Sequence, residues 1–224
     1  MHIVTPARRL CASTLFAFAA CAAAASPARA QNSGTAGKDY TPADAKFMQM
    51  MIVHHAQAVV MSNWAASHGA RADVAILCKR IALSQYDEID LMQRWLLARH
   101  LSAPDPLDMR HPHKGPVTDS SPMHMPGMDM GNPPMMMSGM LTPEQMRALD
   151  AAHGTEFDRL YLTGMMMHHQ GAVDMVASLF ATPGGGQQSE LFGFATDIDA
   201  SQRVEINRMR AMLQSLPATP SPTR

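Results

Sequence analysis

The segment "FMQMMIVHHAQAVVM" at residues 47–61 recurs as "YLTGMMMHHQGAVDM" at residues 161–175. At a shift of 114 residues, both copies place an aromatic residue, a methionine, two adjacent histidines, an alanine and a second methionine at the same spacings. Self-similarity of this kind indicates an internal repeat in which each copy forms one supersecondary unit. The two copies therefore decide the predicted fold.

A second repeated segment follows each copy. The segment "SQYDEIDLMQRWL" at residues 84–96 matches "SQRVEINRMRAML" at residues 201–213, now at a shift of 117 residues. The change in shift falls in the intervening segments "SHGARAD" and "TPGGGQQS", which have the composition of loops and tolerate insertions. Each repeat is thus expected to contain two segments joined by a short loop.

Apolar residues three, four and seven positions apart indicate amphipathic helices, and no stretch alternates as a strand does. The Thr-x-x-Asp patterns that begin at Thr41 and Thr155 suit helix N-termini, and Thr142 with Gln145 resembles a capping box. We predict four long helices and a short one, at residues 42–67, 72–101, 156–181 and 189–215, and at 143–153. Short loops make the paired helices antiparallel neighbours, so the predicted fold is an all-α four-helix bundle of two repeated hairpins.

The first thirty residues resemble an export signal. Arg8 and Arg9 precede the apolar run "LCASTLFAFAACAAAA", and the small-residue site "ARA" precedes Gln31. The run is short for a membrane helix, so we expect no integral membrane span in the mature chain. A periplasmic or otherwise exported protein is predicted, and lipoprotein anchoring at Cys21 is a minor alternative.

Composition divides the rest of the chain. Residues 102–141 are rich in Pro, Gly, Met and His and poor in branched and aromatic residues, which is typical of a mobile linker. We predict the following segments: a signal peptide at 1–30, a flexible segment at 31–40, the first helical hairpin at 41–101, the linker at 102–141, the short helix and second hairpin at 142–216, and a disordered tail at 217–224.

Charge and cysteine content exclude some functions. Removing residues 1–30 takes three of the 18 Lys and Arg and none of the 19 Asp and Glu, which leaves a net charge of −4. With no basic cluster, nucleic acid is not expected as a partner. Only Cys78 then remains, so no internal disulfide can form, and we expect this thiol to be buried and inert.

The repeated histidines and methionines indicate a metal site. Helical spacing places Met51, His54 and Met61 on one stripe, with His55 about 100° to its side. Methionine at this spacing is more often core filling, and a lone buried histidine is more often hydrogen-bonded than a ligand. A His-His pair at the same position of both repeats favours metal binding, because packing alone would accept leucine or isoleucine. Thioether sulfur suits Cu(I) and imidazole suits either copper state, so copper is predicted, with Cu(I) favoured over Cu(II).

The linker provides a second, independent set of soft ligands. The segment "MHMPGMDM" could wrap several sulfurs around one ion, using Met123, Met125, Met128 and Met130. Histidines at 111, 113 and 124 add imidazole nitrogens. We expect a low-affinity collecting arm, and the alternative is a methionine-biased spacer.

Glu88 and Glu205, at equivalent positions of the repeats, raise the possibility of an enzyme. Di-iron carboxylate bundles also require Glu-x-x-His motifs on two helices, and the sequence has none. We therefore expect no catalytic residues. The two carboxylates either orient histidine rings or are simply solvated.

The paired motifs "F-x3-M-x2-HH-x2-A-x2-M" and "SQ-x2-EI-x2-M" resemble the family known as domain of unknown function 305, which includes CopM-like periplasmic copper-binding proteins. The resemblance covers residues 40–101 and 155–215, and Tyr161 departs from the Phe47 of the first copy. It implies a ferritin-like bundle, an extracytoplasmic location and copper binding linked to copper tolerance. The ligands that it implies are Met51, His54, His55, Met61, Met165, His168, His169 and Met175, with Met92 and Met209 from the second helices.

The sequence therefore predicts a non-enzymatic periplasmic protein that sequesters or transfers copper. Its expected partners are copper ions and copper exporters or other periplasmic copper carriers. Two alternatives stay open: a metal-dependent redox enzyme such as a cuprous oxidase, and a metal-free interaction module of the envelope.

Overall fold

The computed structural model describes residues 39–105 and 137–217. Within these ranges it contains five α-helices and no β-strand, which confirms the predicted all-α class. The helices are α1 (Pro42–Asn63), α2 (Ala72–Ala98), α3 (Pro143–Ala151), α4 (Thr155–Ala181) and α5 (Ser189–Gln214). The predicted signal peptide, the tail from 218 and the linker residues Met123, Met125, Met128 and Met130 lie outside the described residues.

The four long helices form two hairpins. Helix α1 packs along α2, helix α4 packs along α5, and the hairpins meet mainly through α1 and α4. The short helix α3 rests on α4 and α1. This arrangement is consistent with the predicted four-helix bundle. Of the described helices, none combines the length and the apolar character that crossing a membrane requires.

Two of the long helices end three or more residues earlier than predicted, and the short helix α3 ends at Ala151 rather than at residue 153. Helix α1 ends at Asn63 rather than at residue 67, and turns lead from it to Gly69, whose φ of +64° reverses the chain. Helix α2 ends at Ala98 rather than at residue 101, because His100 adopts a left-handed φ of 55°. Neither stop is visible in the apolar pattern, since residues on both sides continue the helical periodicity.

Capping boxes begin α1 and α3, as the sequence predicts. Thr41 Oγ1 accepts the Asp44 N–H at 3.2 Å, and Asp44 Oδ2 accepts the Thr41 N–H at 2.8 Å. Thr142 and Gln145 form the same reciprocal pair, at 3.2 and 2.8 Å. These bonds satisfy backbone donors that a helix leaves without intrahelical partners.

The equivalent pattern at Thr155 does not form a threonine cap, so this part of the prediction is wrong. The cap residue is Gly154, and the described structure shows no side-chain hydrogen bond there. Asp158 instead accepts the Arg71 N–H, at 3.1 Å to Oδ1. Asp44 Oδ1 similarly accepts the Gly186 N–H at 2.7 Å. Each repeat therefore uses its aspartate to tie its first helix to the loop of the other hairpin.

The core consists of two apolar clusters. The first is formed around Phe47, Met48, Met51, Ile52, Ile89, Met92, Ala172, Leu191 and Ile198. The second is formed around Ala58, Met61, Leu77, Ile81, Phe157, Tyr161, Met165 and Met209. Cys78 lies in the second cluster as a free thiol, and burial raises its pKa to about 12, which makes it inert as expected.

The cross-hairpin tie at Asp158 can be tested by Asp158→Ala. We expect the free energy of unfolding to fall by about 1–3 kcal/mol, because the partly buried Arg71 N–H loses its acceptor. Asp199→Ala is the control, because it removes an exposed ion pair with Arg203 that is worth about 0.5 kcal/mol. Urea denaturation followed by circular dichroism measures both. Equal losses in the two variants would contradict a special role for the tie.

Candidate metal centre

The four repeated histidines meet where the hairpins join. His54 and His55 lie on α1, His168 and His169 lie on α4, and all four side chains are fully buried. The rings of His54 and His168 face each other with centroids 3.8 Å apart. Within each adjacent pair the centroids lie 6.3 Å apart. The structure thus brings together the imidazoles that the sequence singled out.

The inner histidines, His54 and His168, are fixed by backbone carbonyls. His54 Nε2 lies 3.0 Å from the Ser138 oxygen, and His168 Nε2 lies 2.9 Å from the His54 oxygen. A carbonyl oxygen can only accept, so Nε2 of each ring carries the proton and donates it. In the neutral ring Nδ1 therefore holds a free lone pair.

The outer histidines, His55 and His169, are fixed by carboxylates from the second helix of each hairpin. His55 Nε2 donates to Glu88 at 2.5 Å, and His169 Nε2 donates to Glu205 at 2.7 Å. Burial alone would raise the pKa of Glu88, but the hydrogen bonds from His55 and Ser84, with the nearby imidazoles of His55 and His169, together outweigh burial and keep that pKa below its usual value. Of the two interpretations of these carboxylates, the orientation of histidine rings is the one that the geometry supports.

The Nδ1 atoms of all four rings are buried and have no hydrogen-bond partner among residues 39–105 and 137–217. Unpaired buried polar atoms are rare in native proteins, and each requires an explanation. Histidines that bind metals typically donate one ring N–H to a carboxylate or carbonyl and offer the other nitrogen to the ion. The donor set therefore fits a metal ion.

Burial and neighbouring histidines keep the inner pair neutral. Burial, and to a lesser extent the neighbouring histidines His55 and His169, lowers the pKa of His54 to about 3. Burial and the neighbouring histidines lower the pKa of His168 well below its usual value. Both rings are thus neutral at pH 7, where no proton competes with a metal ion for Nδ1.

The predicted methionine ligands divide between the two core clusters. Met51 and Met92 belong to the first cluster, and the partly buried Met175 packs against it. Met61, Met165 and Met209 belong to the second cluster. Each cluster thus combines two methionines of one repeat with one from the other repeat. All of them except Met175 are fully buried.

Across the described ranges, no group of three or more His, Cys, Asp or Glu side chains forms a metal-binding cluster. The role predicted for the linker methionines concerns residues outside the described ranges and stays a prediction.

The sequence analysis did not single out two other buried polar residues. Gln85 and Gln202 are buried at equivalent repeat positions, and their Oε1 atoms have no partner in the described structure. Their recurrence in the "SQ" motif was a usable signal. Ser138 could not be identified from the sequence, because it contacts His54 through its backbone carbonyl.

The burial of neutral histidines predicts a dependence of stability on pH. In the unfolded chain His54 and His168 titrate near 6.5, whereas in the fold their pKa values are lowered. Below pH 6.5 the unfolded state therefore binds protons that the native state does not. The free energy of unfolding should fall by about 1.4 kcal/mol per pH unit for each histidine.

Chemical denaturation at pH 7 and pH 5 measures this dependence. A His54→Gln, His168→Gln double variant should show a flatter pH profile, because neither glutamine titrates. If the native chain were equally stable at both pH values, the neutral buried state of the inner pair would be contradicted.

Comparisons with known proteins place this geometry in a family. The profile of the family described as domain of unknown function 305 matches residues 44–213. A DUF305 protein of Streptomyces coelicolor that is described as secreted is 26% identical, with a TM-score of 0.60, over 80% of this chain and 94% of its own. A DUF305 fragment from Deinococcus radiodurans is 25% identical, with a TM-score of 0.59, over 79% and 99%.

CopM also resembles this chain. Its Cu(II)-bound form is 26% identical, with a TM-score of 0.55, over 76% of this chain and 95% of its own. Its Cu(I)-bound form aligns at 24% identity with a TM-score of 0.52, which supports the shared fold alone. No curated protein gave a match. Because the matched profile spans well over half of the sequence, this chain belongs to the family of domain of unknown function 305.

Proposed function

We propose that this protein binds copper through its buried histidines and methionines, and sequesters or transfers the ion outside the cytoplasm. One observation carries the proposal. Four buried imidazoles each donate Nε2–H to a fixed oxygen, which leaves four Nδ1 atoms without a partner in the described structure. This is how metal-binding histidines are held.

The surrounding residues favour copper over other metals. Fully buried thioethers lie in both core clusters, and thioether sulfur is a soft ligand that needs no deprotonation. The protonated Cys78 thiol offers no thiolate for a structural zinc site. The likeness to CopM, known in a Cu(II)-bound form, supports the same metal. The mixture of thioether and neutral imidazole favours Cu(I).

Binding without catalysis is the form of this function that the residues support. The sequence contains no Glu-x-x-His motif, and Glu88 and Glu205 are already used to hold histidine rings. Copper exporters or other periplasmic carriers are the proposed partners, and a related protein described as secreted supports export. In this scheme the linker methionines Met123, Met125, Met128 and Met130 collect the ion.

The histidine contribution is tested by anaerobic titration with Cu(I). A variant in which His54, His55, His168 and His169 are changed to Ala should lose the tight component of binding, because all four Nδ1 atoms are removed. His153→Ala, which removes an exposed histidine, should bind as the native chain does. Equal binding by the quadruple variant and the native chain would contradict the bundle site. Oxygen uptake with turnover on added Cu(I) would favour a redox enzyme instead.

A milder variant isolates the thioethers. Met51→Leu combined with Met165→Leu changes little volume and should weaken Cu(I) binding about tenfold or more, since two soft ligands are lost. Met48→Leu is a matched control. Met48 is equally buried in the first cluster, and Leu162 occupies its equivalent position in the second repeat. Equal affinities in the double variant and the control would show that the methionines only fill the core.

A further inference from the structure

The last five residues of the predicted linker are built into the bundle. We call residues 137–141 the strap. The Leu141 N–H donates to Gln57 Oε1 at 2.8 Å, and the Leu141 oxygen accepts from Gln57 Nε2 at 3.0 Å. Both bonds are buried, and the Leu141 side chain joins the second core cluster. Both ends of the Gln57 amide therefore anchor the strap to α1, although the sequence assigned these five residues to the linker.

The strap also fits closely against α4. A Cβ atom added to Gly171 would lie 2.0 Å from the Ser138 oxygen, and one added to Gly139 would lie 2.5 Å from the Met167 oxygen. Gly139 moreover has a φ of +77°. Both glycines are thus needed for the two backbones to touch.

The strap breaks the symmetry of the two repeats. At a shift of 114 residues, Gly171 is the equivalent of Gln57. Gly171 leaves room for the strap because it has no side chain, and Gln57 binds the strap through its side-chain amide. Ser138 Oγ adds a bond to Asp174 at 3.1 Å. The segment is therefore held from both sides of the hairpin junction.

The docked strap forms a hydrogen bond with the ring of one histidine. Its Ser138 carbonyl accepts the Nε2–H of His54, whereas His168 donates to a carbonyl within helix α1. Only the first of these acceptors depends on strap docking. If the strap were released, the His54 ring would lose the Ser138 carbonyl, which fixes its tautomer and leaves Nδ1 available.

We propose that the strap is a positioning element whose docking is coupled to metal binding at His54. The coupling rests on the proposed copper-binding function. Binding energies that are coupled act reciprocally, so a docked strap strengthens metal binding and the bound metal holds the strap in place. The second repeat, whose inner histidine donates to the His54 carbonyl rather than to the strap, is affected less.

The test uses the full chain with Gly171→Ala, which pushes the strap away from α4. Gly193→Ala is the matched control, because it makes the same change within a helix and no described atom lies within 4 Å of the added Cβ. Hydrogen exchange at the Leu141 amide reports docking, ring ¹⁵N resonances report the His54 tautomer, and titration of Cu(I) against a competing chelator reports affinity.

In Gly171→Ala we expect faster exchange at Leu141, loss of the single His54 tautomer and Cu(I) affinity reduced by about fivefold or more. The control should match the native chain in all three. In the native chain, Cu(I) should slow exchange at Leu141. Should Gly171→Ala fail to fold, Gln57→Leu removes both strap bonds without a backbone clash and carries the same expectations.

The outcomes separate the two claims. A released strap with unchanged Cu(I) affinity overturns the coupling and leaves copper binding intact. A native chain that takes up no Cu(I) overturns the proposed function and the coupling with it.

Discussion

The hydrogen bonds from four imidazole Nε2–H groups to fixed oxygens are the interaction on which the interior of this bundle depends. Burying an imidazole without a partner is costly, so each ring requires its acceptor. Glu88 and Glu205 serve the outer rings, and backbone carbonyls serve the inner ones. Because all four rings use the same nitrogen for support, all four leave the same nitrogen for a ligand. The proposed copper-binding function thus depends on the same ring tautomer that stabilises the core.

The repeat explains how a short chain builds such a centre. Equivalent aspartates, Asp44 and Asp158, each tie one hairpin to the loop of the other, so the hairpins hold each other in register. The same exchange occurs in the core, where Met61 shares a cluster with Met165 and Met209, and Met175 packs against the cluster that contains Met51 and Met92. The site is consequently a product of both repeats, and neither hairpin contains it alone.

Much of this was predictable because helical periodicity and repetition are local properties of the sequence. The helices, the histidine pairs and the buried methionines follow from spacing alone. The Thr-x-x-Asp pattern at Thr155 identified an acceptor but not its donor, Arg71, which is distant in sequence. The contact between His54 and the Ser138 carbonyl spans 84 residues and involves a backbone atom, so the residue types alone do not predict it. Contacts of this kind require coordinates.

The most direct measurement is ¹⁵N NMR of the imidazole rings before and after addition of Cu(I). We expect His54, His55, His168 and His169 to begin in the Nε2–H form, and Cu(I) to shift their Nδ1 resonances while the Nε2–H signals persist. Nδ1 resonances that stay unchanged in a chain that has taken up Cu(I) would contradict metal binding by the imidazole rings.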